Sequence, residues 1–108
     1  MNKALDRLPL LVREELQAAN AEHEPFHSAH EGYAVLLEEV EEARDELIEA
    51  EFDLQQAWKG VRRDDLPGVR VWVSKAEQAA TRLAAEAIQA AAMARKLLTW
   101  LERESDAG

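Results

Sequence analysis

The stretch His30-Glu31-Gly32-Tyr33-Ala34-Val35-Leu36-Leu37-Glu38-Glu39-Val40-Glu41-Glu42 decides how this chain is read. Its apolar positions recur at helical spacing, and Glu38, Glu39 and Glu42 form an E-E-x-x-E pattern within it. On a helix turning about 100° per residue, those three carboxylates fall within a sector of roughly 100°. Three like charges this close repel one another and weaken the helix unless a cation sits among them. Mg²⁺ is the expected cation, with Mn²⁺ an acceptable substitute, because it prefers oxygen ligands and also grips phosphates.

Outward from this stretch the pattern stays helical. Ser28 is placed to cap the helix and Glu31, three residues on, to complete a capping box. The acidic helix is expected over 28–62. Its apolar side gathers Tyr33, Leu36, Val40, Leu47, Leu54 and Trp58, and Glu31, Glu38, Glu42, Glu49 and Asp53 gather opposite. That second side also reads as an ordinary solvated face, with Glu39 on the flank between the two. Upstream, residues 1–27 hold a first helix from about Leu8 to Glu22 and a loop stopped by Pro25. Asp6 is its expected cap, Pro9 its first turn, and Leu8, Leu11, Val12, Leu16 and Ala19 its apolar stripe. Downstream, Pro67-Gly68 reads as a turn over 63–70. A last, alanine-rich helix follows over 71–104, with a short extra helix possible at Trp72 and a frayed tail over 105–108. Leu83, Ala87, Ala90, Ala94, Leu97 and Leu101 make its contact stripe, and Glu86 stands at the border of that stripe. Glu86 there is expected to pair with Arg82 or to meet a metal.

Composition narrows the classes. At 108 residues the chain is one domain by length, all-α, an antiparallel bundle of three to four helices completed by oligomerisation. The formal net charge of −9 argues against a nucleic-acid backbone as partner, though a metal can still bring a phosphate to an acidic site. The chain has no cysteine, so disulfides and thiolate metal sites are excluded, and its three histidines lack zinc-finger spacing. His27 and His30 read as loop or capping residues. No apolar run is long enough to span a membrane and no signal-peptide core is seen, so a cytoplasmic protein is expected. Trp58, Trp72 and Trp100 read as core or interface residues, and a small chain does not cover all three alone. A homodimer or homotetramer follows.

With these residues in view, the chain resembles the all-α nucleoside triphosphate pyrophosphohydrolases of the MazG type. Phe26-His27-Ser28-Ala29-His30-Glu31-Gly32-Tyr33, then Glu38-Glu39-x-x-Glu42, carries most of the likeness. The segment Leu83-Ala84-Ala85-Glu86-Ala87-Ile88-Gln89-Ala90 stands at the family's second acidic motif. The resemblance implies Mg²⁺-dependent release of pyrophosphate from a nucleoside triphosphate. Glu38, Glu39, Glu42 and Glu86 would hold the metal, and Glu39 and Glu42 would have the catalytic roles. The family's second motif is E-x-x-D, and Gln89 stands here at the Asp position. An amide oxygen brings no charge and cannot serve as a base, so metal affinity and turnover should fall, while Asp45, Glu46, Glu49 or Asp53 could supply the carboxylate instead. A helical interaction or scaffold protein that kept the fold without the chemistry is the alternative.

Overall fold

A computed structural model describes residues 2–107, in three helices: α1 (Asn2–Glu22), α2 (Ala29–Arg62) and α3 (Leu66–Ala107). Among the described residues there is no strand. No helix is long and apolar enough to cross a membrane.

The helix ends follow local chemistry. At the start of α2 the Glu31 N–H donates to Ser28 Oγ at 3.1 Å, the expected cap. The Glu31 carboxylate turns outward, its Oε2 3.1 Å from His27 Nδ1, and His27 Nε2 lies 3.4 Å from Glu24. The end of α2 is a Schellman motif: the Asp65 N–H reaches the Gly60 carbonyl at 2.9 Å and the Asp64 N–H that of Val61 at 3.3 Å. Asp64 takes the left-handed position with φ 54°, a place usually held by glycine. Asp65 then caps α3, its Oδ1 accepting the Gly68 N–H at 3.1 Å.

That cap corrects the expected turn over 63–70. The break spans 63–65, and α3 begins at Leu66, so Pro67 occupies a first-turn position it tolerates. Trp72 consequently lies inside α3, and there is no separate short helix there. The helix also runs past Glu104 to Ala107, so 105–107 are helical, and Gly108 lies outside the described residues. At the other end α1 starts at Asn2 rather than Leu8, which puts Asp6 and Pro9 in its interior. Leu5, Leu8, Val12 and Leu16 line one cleft at helical spacing, with Leu8, Val12 and Leu16 half-buried and Leu5 exposed.

The chain forms two compact units: one of the segments up to Val40 and from Glu86 onward, the other Glu41–Ala85. The first is organised around Phe26, which is buried. A Cβ at Gly32 would stand 2.5 Å from Leu97 Cδ1 and 3.1 Å from Phe26 Cδ2, so any larger residue there must displace the Leu97 side chain. The second is a helical hairpin. Phe52 meets Trp72 edge-on at 5.8 Å, and the Arg82 Nε donates to Glu46 Oε2 at 2.8 Å. Near the turn, a Cβ at Gly60 would lie 2.9 Å from Val69 Cγ2 and 3.3 Å from the Val69 nitrogen.

The burial of α2 overturns the expected apolar face. Of Tyr33, Leu36, Val40, Leu47, Leu54 and Trp58, only Leu36 is half-buried, and the other five are exposed. Gly32, Leu36, Glu39, Ala43, Glu46, Ala50, Asp53, Ala57 and Gly60 form a covered series spaced alternately by four and three residues, with Val35 and Gln56 half-buried beside it. In α3 the covered series Trp72, Ala76, Ala79, Leu83, Glu86, Ala90, Met93, Leu97 and Trp100 has the same alternation. These are heptad seams, and on α2 the seam is made, Leu36 apart, of small and acidic residues. Small side chains let helix backbones approach closely, which bulky ones at the same positions would prevent. Asp53, expected on the wet side, is therefore covered. The α1 stripe keeps Leu8, Val12, Leu16 and Ala19 half-buried but leaves Leu11 exposed. In the α3 stripe Leu83, Ala90, Ala94 and Leu97 are half-buried, whereas Ala87 and Leu101 are exposed.

Candidate metal centre

Glu39 and Glu86 occupy seam positions, one on α2 and one on α3. Both are half-buried, and the Oε2 atom of each is shielded from solvent. Glu42 follows Glu39 by one turn of the same helix, so its carboxylate projects near that of Glu39 while staying exposed. One carboxylate oxygen from each of Glu39, Glu42 and Glu86 lies within 4.8 Å of the others. This group can hold a metal ion.

The donor set is all oxygen and all carboxylate, which suits a hard divalent cation rather than zinc or copper. Around Mg²⁺, with bonds of 2.0–2.1 Å, ligand oxygens sit about 3 Å apart when adjacent and about 4.2 Å when opposite. Three ligands leave further octahedral positions for water or phosphate oxygens, as Mg²⁺ sites usually do.

Other sequence candidates fall elsewhere. Glu38 is exposed and is not one of the three grouped carboxylates. Gln89, one turn beyond Glu86, is half-buried. Of the proposed replacements for an aspartate there, Glu46 is engaged by Arg82, Asp53 is buried further along the α2 seam, and Asp45 and Glu49 are exposed. Arg82, expected beside Glu86, makes an ion pair with Glu46 of α2, its Nε 2.8 Å from Glu46 Oε2. His27 is held between Glu24 and Glu31, and His30 is exposed.

Sequence reading passed over Lys96. Its residue is 8 % exposed, and its Nζ stands 4.6 Å from the centre of the Phe26 ring. Lysines are seldom so covered, and nothing in the local sequence distinguishes this one from a surface lysine. No protein-family model, curated protein or solved structure matches the chain.

Proposed function

We propose that this chain is a self-associating helical protein whose Glu39, Glu42 and Glu86 bind Mg²⁺, and that it releases pyrophosphate from a nucleoside triphosphate. The observation that carries this reading is the convergence of the three carboxylates on a 4.8 Å scale, two of them on seam positions. A triphosphate is strongly anionic, and in a chain of net charge −9 a divalent cation is the economical way to hold it. When bound, the cation supplies charge neutralisation on phosphoryl oxygens. The chain's own residues do the rest. Glu39 and Glu86 anchor the cation from a partly dry setting, and exposed Glu42 is placed to accept a proton from an attacking water.

The proposal includes a homodimer or homotetramer. Among the described residues the buried hydrophobic ones are Phe26, Ala57, Ala79 and Ala92, and no large side chain is fully buried. Meanwhile Tyr33, Leu37, Val40, Leu47, Leu54, Trp58 and Val61 are all at least 41 % exposed. They repeat one residue after the α2 seam, hence about 100° around the helix from it. Arg44 and Glu51 fill the gaps in this stripe. If two copies of α2 pair antiparallel about Leu47 and Ile48, Arg44 of one faces Glu51 of the other, twice. Large contiguous apolar patches of this kind mark interaction surfaces.

A second reading is a helical scaffold without turnover, favoured by Gln89 at the position where the resembled family has an aspartate. Calorimetric titration of Mg²⁺ and Mn²⁺ into the wild type and into Glu86→Gln separates the two. Saturable binding that the substitution weakens supports the metal reading. Heats indistinguishable from dilution in both proteins support the scaffold.

A further inference from the structure

We infer a second, separate binding site: the cleft beside Phe26 and Lys96 takes a small phosphate-bearing anion. The cleft has a volume of about 210 Å³, below the usual range for drug-sized ligands and suited to a compact group. Lys96, Arg103, His23 and Asn20 bring donors to its wall, and Phe26 and Trp100 bring aromatic surface. No aspartate or glutamate lines it, although acidic residues outnumber basic ones 22 to 13 in the chain. The lining of this cleft therefore has the opposite sign to the protein.

The second observation is the state of Lys96. Its stem is covered, while its Nζ is not among the solvent-shielded side-chain atoms, so the ammonium remains accessible from the cleft. Among the described residues, no carboxylate lies within ion-pair distance of Lys96 or of Arg103. The contact of Lys96 with the Phe26 ring at 4.6 Å fixes the ammonium at the cleft wall. Glu22, Glu24 and Glu31 line an adjoining cleft that Lys96 also borders, so the ammonium stands between an acidic and a basic recess. Thr99 adds no donor, since its hydroxyl already donates to the Arg95 carbonyl at 3.0 Å.

Arginine presents a planar fork that matches phosphate oxygens, and lysine acts as a point charge beside it. Together with the Asn20 amide, these groups can satisfy a phosphoryl dianion on several sides. The site shares no residue with Glu39, Glu42 and Glu86. Lys96 lies ten residues beyond Glu86 on α3, about 15 Å along the helix axis. It therefore stands whether or not the acidic group holds a metal.

The test is isothermal titration in metal-free buffer containing chelator, at ionic strength matched with chloride. One arm uses inorganic phosphate and the other a nucleoside 5′-monophosphate. Wild type is expected to bind in at least one arm, with Arg103→Gln weakening the affinity at least tenfold. Arg103 is exposed, so this variant should fold normally, and Lys96→Met serves as the covered counterpart. Binding in both arms with equal affinity identifies the free phosphate group as sufficient. Binding of the monophosphate alone identifies an organic phosphate that uses the aromatic wall. Absence of binding in both arms, or binding that Arg103→Gln leaves unchanged, overturns the proposal.

Discussion

Asp53 and Leu54 are adjacent in α2 and have opposite surroundings: the aspartate is 5 % exposed and the leucine 63 %. Burial on this helix does not follow polarity. Apart from Leu36 the seam takes Gly, Ala and acidic residues, and most bulky apolar residues stand one position further around. An apolar stripe left outward in this manner is stabilised by covering it, at roughly 25 cal/mol per Å² removed from water.

Leu47→Glu should disperse the assembly. Leu47 lies at the middle of the exposed stripe, where a carboxylate from each copy would face its counterpart without water. Sedimentation velocity at micromolar concentration should give a mass near a multiple of 12.2 kDa for wild type and near 12.2 kDa for the variant. A wild type that sediments as a monomer would remove self-association from the account.

Mg²⁺ should raise the melting temperature. A ligand that binds only the native state at 100 times its Kd adds about 2.7 kcal/mol. For a domain of this size each kcal/mol is worth about 4–8 °C. Glu86→Gln should lose most of that increment in a thermal scan, since it removes one of three charges from the group. A shift of equal size in the variant would place the ion elsewhere.

Asp64→Gly should stabilise the hairpin by about 0.5–1 kcal/mol. The left-handed φ of 54° costs an L-residue more than glycine, even for the tolerant Asp. Both Schellman hydrogen bonds come from backbone groups and survive the change. The urea midpoint should rise with an unchanged m-value.

The Arg82–Glu46 pair should be worth little in stability. Its side chains are 53 % and 24 % exposed, a range in which solvent screens the attraction. A double-mutant cycle with Arg82→Ala and Glu46→Ala should yield a coupling of about 0.2–1 kcal/mol, smaller in high salt. A coupling well above that would mean the pair is shielded by a second copy.

Helix content, the end of α1 and both ends of α2 were legible in the sequence because caps are local. Ser28 with Glu31 announced α2, and Pro25 announced the break before it. Pro67-Gly68 misled, since a proline two residues after a capping aspartate starts a helix as readily as it ends one. The inward face of α2 was not legible by hydrophobicity, because the seam rests on how closely Gly32 and Gly60 let the chain approach Leu97 and Val69. Glu39 and Glu86 could be singled out by their borderline angles on two helices, and the structure groups them with Glu42. Glu38 shares the motif but not the group, a distinction that depends on where a third side chain arrives. Lys96 carried no sequence signal, because its covering depends on Phe26 from a distant loop.

Pyrophosphate release tests the central claim most directly. It should be measured over a panel of nucleoside triphosphates, with and without Mg²⁺, for wild type, Glu86→Gln and Gln89→Asp. The account predicts Mg²⁺-dependent release by wild type, a loss of at least tenfold in Glu86→Gln, and an increase in Gln89→Asp, which adds a charged oxygen ligand one turn from Glu86. Absence of pyrophosphate from every triphosphate in both wild type and Gln89→Asp, at Mg²⁺ concentrations that saturate the protein, would contradict it.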